Sequence, residues 1–377
     1  MPPSSKSAAG SLASFCPWAA EEGVRVYLRP VGLLPVDAWA KGAAVPLAGG
    51  RFAFSSAELI VRRGASVERA YAPLSEIMSW GVERGRAVAT RLDRQLAALT
   101  RTRAPFAGLD LGRPLIMGIV NVTPDSFSDG GDFFDPSSAI AHGEALLEAG
   151  ADILDIGGES TRPGSTPVPP DEEGRRVVPV IRHFAEKGAV VSADTRHTAV
   201  MRVAVDAGAR IINDVAGLRD VGSVKFAATS GTPVVLMHML GEDPQSMMDR
   251  MDYQDAALDV FDWLEGRVES CLAAGIAPEN LCVDPGIGFG KTNTHSLHIL
   301  RHTAMYHALG FPLLIGLSRK GFIGKLSRGE PPKERVAGSL IAGFETLGQG
   351  AQILRVHDVA ETFQARAVWE SLHPAAT

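Results

Sequence analysis

The sequence predicts an α/β chain, a (β/α)8 barrel preceded by a small α+β N-terminal extension, and three observations carry that prediction. Short apolar runs without polar alternation recur after Gly112, as strands do when both of their faces are covered. Between most of them lie helical stretches closing on Ala149-Gly-Ala151, Ala207-Gly-Ala209 or Ala274-Gly-Ile276, with glycine where a helix ends in a left-handed residue. Nearly every run then exits into polar or glycine-rich sequence. About eight such units over roughly 260 residues match a closed barrel. An open, doubly wound sheet has the same rhythm, and the polar residues gathered at the strand exits favour the barrel.

The length agrees. A chain of 377 residues allows two or three small domains, or a barrel with a remainder. With 45% hydrophobic and 21% charged residues, wholesale disorder and fibrous repeats are excluded. Forty glycines and 24 prolines without a period suit many short loops. A net charge of -6 argues against nucleic acid held by overall charge, but says nothing against a local phosphate site. Three cysteines (Cys16, Cys271 and Cys282) without CxxC spacing suit a reducing cytoplasm rather than a disulfide framework or a zinc site. No stretch approaches the roughly 18 apolar residues that span a bilayer. Residues 1–20 lack a continuous apolar core and precede Glu21-Glu22, so they read as a flexible tail rather than a signal peptide.

Residues 21–110 form the extension, of unread role, and 111–377 the barrel. Val24, Val26 and Leu28 alternate with Arg25, Tyr27 and Arg29, the pattern of a half-buried strand that Pro30 stops. Ala48-Gly49-Gly50 marks a turn, and Arg51–Phe54 reads as a second strand. From about Val82 to Thr100 the period turns helical: Val88, Leu92, Leu96 and Leu99 share one face, with Arg84, Arg91 and Arg94 off it on a solvated side. Arg103-Ala-Pro105 opens the linker.

The barrel strands are expected at Leu115–Val120, Ile153–Ile156, Ala189–Val191, Arg210–Ile212, Pro233–Met237, Leu281–Val283, Pro312–Ile315 and Gln352–Val356. Their exits bring Asn121, Asp155, Asp194, Asn213, Met237-His238, Asp284, Gly316 to Lys320, and Arg355-Val-His357 to one rim. Acceptors from Asp155, Asp194, Asn213 and Asp284, with Lys320 as donor, suit a flat nitrogen-rich heterocycle. Arg355 and His357, two apart on a strand, join Arg162 and Asn121 as an oxygen-seeking cluster fit for a phosphate or pyrophosphate. Such a group brings Mg2+, which the Asn121 amide oxygen would help hold. Other motifs fail. Gly290-Lys-Thr292 has Pro285 where a P-loop needs its first glycine, and Gly157-Gly158 lacks the dinucleotide fingerprint. His238, between two methionines, reads as a hydrogen-bonded wall residue.

Together, Gly118–Gly131, Gly157-Gly-Glu-Ser-Thr-Arg-Pro-Gly164, Asp284-Pro-Gly-Ile-Gly-Phe-Gly-Lys291, Ser318-Arg-Lys320 and Arg355-Val-His-Asp358 resemble the dihydropteroate synthases of folate biosynthesis, in that family's order. The resemblance implies a TIM barrel that joins 6-hydroxymethyl-7,8-dihydropterin diphosphate to 4-aminobenzoate, releasing pyrophosphate and 7,8-dihydropteroate. It places Asp194, Asn213, Asp284, Lys320, Met237 and Gly316 around the pterin. Asn121, Thr161, Arg162, Arg355 and His357 fall around the diphosphate and Mg2+. Phe127, Ser160, Thr161, Arg162, Pro163, Phe289 and Ser318 frame the aminobenzoate. Asp155, Asp284 and Lys320 are the expected catalytic set, with Asp155 stabilising a cationic methylene. The family's habits also imply a homodimer, here through the helix opened by Arg335–Leu340, and competition by sulfonamides. Two alternatives remain: a pterin-binding methyltransferase domain, and a non-catalytic pterin- or phosphate-binding module. The first would not need the Ser160–Pro163 loop or Ser318-Arg-Lys320, and the second should have lost part of the set Asn121, Arg355 and His357, which all stand.

Overall fold

The computed structural model describes residues 12–123, 136–160, 165–241, 247 and 251–375. In the extension, in chain order, lie β1 (Val24–Val31), β2 (Leu34–Pro35), a short α1 (Asp37–Ala40), β3 (Val45–Pro46), β4 (Phe52–Phe54), β5 (Ser56–Arg63), β6 (Ser66–Pro73), α2 (Leu74–Glu83) and α3 (Arg86–Thr100). They form two three-stranded sheets, β1-β5-β6 and β2-β4-β3.

Several local expectations change here. Pro30 does not stop β1; it pairs with Ala57 inside the strand, whose neighbour β5 lies on one side only, so the missing N–H costs little. β1 is not half-buried at its centre, because Tyr27 is fully buried and packs edge-on to Phe261, 5.6 Å between ring centroids. Strands β5 and β6 escape a sequence reading because Glu58, Arg62 and Arg69 interrupt the apolar pattern. Those charges are paired instead: Arg29 with Glu58 at 2.6 Å, Arg62 with Asp259 at 2.6 Å and Arg69 with Asp255 at 2.5 Å. The helical pattern from Val82 to Thr100 breaks at Gly85, where φ is +108°. Its arginines are not merely solvated, since Arg91 and Arg94 both reach Glu265, at 3.4 and 3.3 Å. Nor are residues 12–20 loose: Leu12, Cys16 and Ala19 are buried.

The second part alternates strand and helix. It runs β7 (Leu115–Asn121), α4 (Pro136–Glu148), β8 (Ile153–Gly157), α5 (Pro170–Glu186), β9 (Val191–Asp194), α6 (Thr198–Asp206), β10 (Ile211–Asp214), α7 (Ser223–Ser230), β11 (Val234–Met237) and α8 (Ala256–Ala273). It continues with β12 (Leu281–Asp284), α9 (Asn293–Arg301), β13 (Leu314–Gly316), α10 (Gly321–Leu326), α11 (Val336–Leu347), β14 (Ile353–Val356) and α12 (Val359–Leu372). Strand β9 begins two residues later than its apolar run suggests, because Ala189 and Val190 belong to the turn leaving α5.

All ladder pairs are parallel, in the order β12-β11-β10-β9-β8-β7-β14-β13, and a single bridge between Val283 and Leu313 closes the ring. Parallel strands put every C-terminal end at the same mouth. Inside, Leu115, Met117, Ile153, Ile211, Val235, Cys282, Leu314 and Ile353 pack on each other and on Phe106 of the linker, so the barrel is filled rather than hollow. The outer core runs without a break from the helices of the barrel into the extension, through Leu28, Leu92 and Leu99 to Phe261 and Tyr306. Arg103 locks the joint. Its buried guanidinium donates to the carbonyls of Phe311 (3.1 Å), His307 (2.9 Å), Ala98 (3.0 Å) and Arg101 (2.8 Å). Among the described residues, no helix is long and apolar enough to cross a membrane.

Candidate active site

Each barrel strand delivers a residue to the mouth because the apolar run that buries it ends there. Ladder register sets these residues side by side: Asn213 with Asp194, Met237 with Asp284, Gly316 with Arg355, and Asn121 with Gly157. At Gly157 a Cβ would meet the Asp194 side chain at 3.3 Å, so the glycine leaves that carboxylate its room.

One guanidinium organises the centre. Arg355 Nε donates to Asp155 Oδ2 at 2.5 Å and its Nη2 to Asp194 Oδ2 at 2.5 Å, while Asn213 Nδ2 donates to the same Asp155 oxygen at 3.0 Å. Among the described residues, Asp155 Oδ1 and Asp194 Oδ1 are buried and accept nothing. Burial pushes the Asp194 carboxyl up to about 7 against the pull of Arg355, with Asp155 adding to the rise. Against burial, the carboxylates of Asp155 and Asp194 keep the Arg355 guanidinium firmly charged.

Across the mouth, Asp284 Oδ1 accepts from the Gly286 N–H at 2.7 Å. Gly286 has φ +66° and lies so close to the His238 carbonyl that any Cβ would collide at 1.9 Å. Burial raises the Asp284 carboxyl to about 6 despite this N–H and Lys320. Lys320 is pulled down to about 7 by burial, with Asp284 opposing; its Nζ donates to the Ile287 carbonyl and lies 4.5 Å from the centre of the Phe289 ring. Phe289, Met237, Met239, Val215 and Ala216 pack as an apolar wall beside it. A flat slot results, with carboxylate acceptors, an amide, an ammonium donor and a greasy side.

Toward the outer rim, Ser318 Oγ lies 3.1 Å from His357 Nδ1 and accepts from the His357 N–H at 3.2 Å. Ser160, at the end of β8's exit, is half-buried, and its carbonyl accepts from the Ser165 hydroxyl. Phe127, Thr161, Arg162 and Pro163 lie outside the described residues. Arg355 therefore sits with the carboxylates, and not only with the oxygen-seeking rim residues among which its sequence spacing placed it.

Two supporting residues, Arg319 and Lys291, carry no role in the sequence reading. Arg319 stands in the left-handed region, φ +59°, and its Nε donates to Asp358 at 3.0 Å, a pairing that fixes the turn between Ser318 and Lys320. Lys291, fully buried, donates to the His238 and Phe289 carbonyls at 3.2 and 3.0 Å and contacts His238 Nδ1 at 2.8 Å. Burial and the nearby Lys320 hold Lys291 well below the usual ammonium range. His238 itself, edge-on to Trp263 at 5.0 Å, is the hydrogen-bonded wall residue its flanks suggest. The Gly-Lys pair that looked like a failed P-loop was the signal for Lys291.

Residues 117–357 match the family model described as pterin binding enzyme. The chain is 49% identical over 270 residues, 70% of its length and 94% of the relative's, to dihydropteroate synthase of Neisseria meningitidis serogroup B. The dihydropteroate synthase of Xanthomonas albilineans solved with 4-aminobenzoic acid matches with a TM-score of 0.67 and 48% identity, covering 72% of this chain and 97% of that one. The same organism's enzyme in complex with 7,8-dihydropteroate matches with a TM-score of 0.65 and 45% identity, covering 71% and 97%.

Proposed function

From the premise that this chain belongs to the pterin-binding enzyme family, among its dihydropteroate synthases, we infer how its residues divide the work. The reaction condenses 6-hydroxymethyl-7,8-dihydropterin diphosphate with 4-aminobenzoate to give 7,8-dihydropteroate and pyrophosphate, in folate biosynthesis. The observation that carries the assignment is the pair of buried oxygens, Asp155 Oδ1 and Asp194 Oδ1, without a partner among the described residues. Buried acceptors without donors are costly, and the N–H groups of a pterin satisfy them.

In this reading Asp194, Asn213 and Asp284 accept from or donate to the pterin edge, Lys320 donates to a ring acceptor, and Met237 and Gly316 line the flat faces. The bond from the exocyclic methylene to the diphosphate oxygen breaks, leaving positive charge that the dihydropterin shares. Asp155, held by Arg355 and Asn213, stabilises that charge. The arylamine nitrogen then bonds to the methylene and gives up its proton. Ser160, Phe289 and Ser318 frame the arylamine, along with Phe127, Thr161, Arg162 and Pro163. No protein nucleophile takes part.

Arg355, His357, Asn121, Thr161 and Arg162 receive the diphosphate. Mg2+ fits beside them. Asn121 offers one neutral amide oxygen, and Asp155 and Asp194 are taken up by Arg355, a donor set for an ion held mainly by phosphate oxygens and water. When bound, the ion neutralises the departing diphosphate. We also propose a homodimer, supported by the exposed Ile341 on α11 and Leu326 on α10, and a cytoplasmic setting, supported by three cysteines that stay free. Nucleic acid and membrane are not among the expected partners. A sulfonamide resembles 4-aminobenzoate and is expected to compete with it.

The test is pyrophosphate release by purified full-length chain, which should require both substrates and stop on complete chelation of Mg2+. A methyltransferase domain or a silent pterin-binding module would release none.

A further inference from the structure

Beyond the barrel mouth, two buried carboxylates and a half-buried imidazole converge. They are Glu159 in the exit of β8, Glu173 in the first turn and a half of α5, and His197 at the start of α6. His197 Nε2 lies 3.8 Å from Glu159 Oε2 and 3.9 Å from Glu173 Oε2, and one ligating atom from each residue falls within 4.8 Å of the others. The Glu173 side chain has no exposed surface. Among the described residues, neither of its carboxylate oxygens, nor His197 Nε2, has a partner at full hydrogen-bonding geometry, and the Thr195 side chain is a polar neighbour that eases the Glu173 charge.

Buried acceptors left unsatisfied cost roughly 1–3 kcal/mol each, and a ligand held between Glu173 and His197 relieves that cost. Two carboxylates and an imidazole differ from the all-oxygen sets that Ca2+ and Mg2+ seek and match those of zinc-class ions. Zinc at bonds of about 2.0–2.1 Å sets tetrahedral ligand atoms about 3.3 Å apart, so His197 has to approach each carboxylate by about half an ångström. The surroundings already orient the ligands. Arg196 grips Glu159 with Nε at 2.9 Å and Nη2 at 3.1 Å, and the Val168 N–H donates to Glu159 Oε1 at 3.1 Å. Such outer bonds typically hold a ligating carboxylate in place. Burial keeps His197 below its ordinary value, hence neutral and able to ligate. Burial also pushes Glu173 up to about 8, so an incoming cation would displace its proton.

We propose that Glu159, Glu173 and His197 form a divalent transition-metal site of the zinc class, separate from the diphosphate site. It ties the exit of β8, next to Ser160, to helix α5 and to the exit of β9, and leaves a fourth position for water.

The experiment is a titration of metal-free full-length chain with CoCl2 in excess Mg2+, followed by visible absorbance and by displacement with ZnCl2. One Co2+ per chain is expected at this site, with affinity lowered at least about a hundredfold in E173Q and in H197A, a larger loss than removing an outer-sphere partner causes. Equal binding by the wild type and both folded variants, or none by the wild type, overturns the proposal. Should either variant fail to fold, a wild-type crystal soaked in ZnCl2 decides. An anomalous peak between the three side chains supports the site, and a water alone in that place overturns it.

Discussion

Lys320 and Asp284 interact on the same side of the slot, where burial displaces both toward neutrality. Replacing either by alanine strands the other, and Lys320→Ala or Asp284→Ala is expected to lower kcat/KM at least about a hundredfold, roughly 2.7 kcal/mol. Near-normal turnover would sink the pterin assignment. The signs of their displacements also predict a pH profile. Asp284 and Asp194 take up protons as pH falls through about 6 to 7, losing acceptors, and Lys320 loses its charge as pH rises through about 7. A narrow bell in kcat/KM near neutrality should follow, with Lys320→Arg moving its alkaline limb upward; a profile flat from about pH 5 to 9 would contradict it. Lys291 tests the loop beneath Phe289. Lys291→Met should raise KM for 4-aminobenzoate about tenfold or more with little change for the pterin, whereas equal loss for both substrates would reduce Lys291 to a packing residue. The rim residues were legible because each ends an apolar run. Lys291, Arg319 and Glu173 were not, because their meaning lies in partners such as His238, Asp358 and His197, which only folding brings near.

At the scale of elements, sequence reading succeeds where burial is apolar on both faces and fails where charges are buried in pairs. The eight barrel strands belong to the first kind. β5 and β6 belong to the second: Arg62 and Arg69 look like solvent markers until Asp259 and Asp255 of the α8 region supply their counter-charges. The linker after α3 escapes the sequence for a different reason. Among the described residues Arg103 meets no carboxylate, only four carbonyls, and burial with the neighbouring Arg101 lowers it to about 9. Arg103→Met would leave those carbonyls without donors, at a cost of about 2–4 kcal/mol. Urea titration of the purified variant measures this, and a loss under about 0.5 kcal/mol would show that water replaces the side chain freely.

For the molecule as a whole, the extension behaves as part of the barrel's packing rather than as an appendage, since one apolar core runs through both. Deleting residues 1–110 would expose the surfaces of Phe261 and Tyr306 that now face Tyr27 and the α3 side chains. The truncated chain is expected to aggregate or to melt well below the full chain, and a barrel of unchanged Tm would refute that dependence. The closure of the ring has a kinetic corollary. Seven strand pairs share ladders, but β12 and β13 meet at one bridge, and Asp284 and Gly316 end the two strands on either side of it. With the fewest backbone bonds, that join is expected to open first. Amide protons on either side should exchange with solvent sooner than those of β7 or β8, and a pterin lying across the gap should slow them, acting as the clasp that the backbone omits.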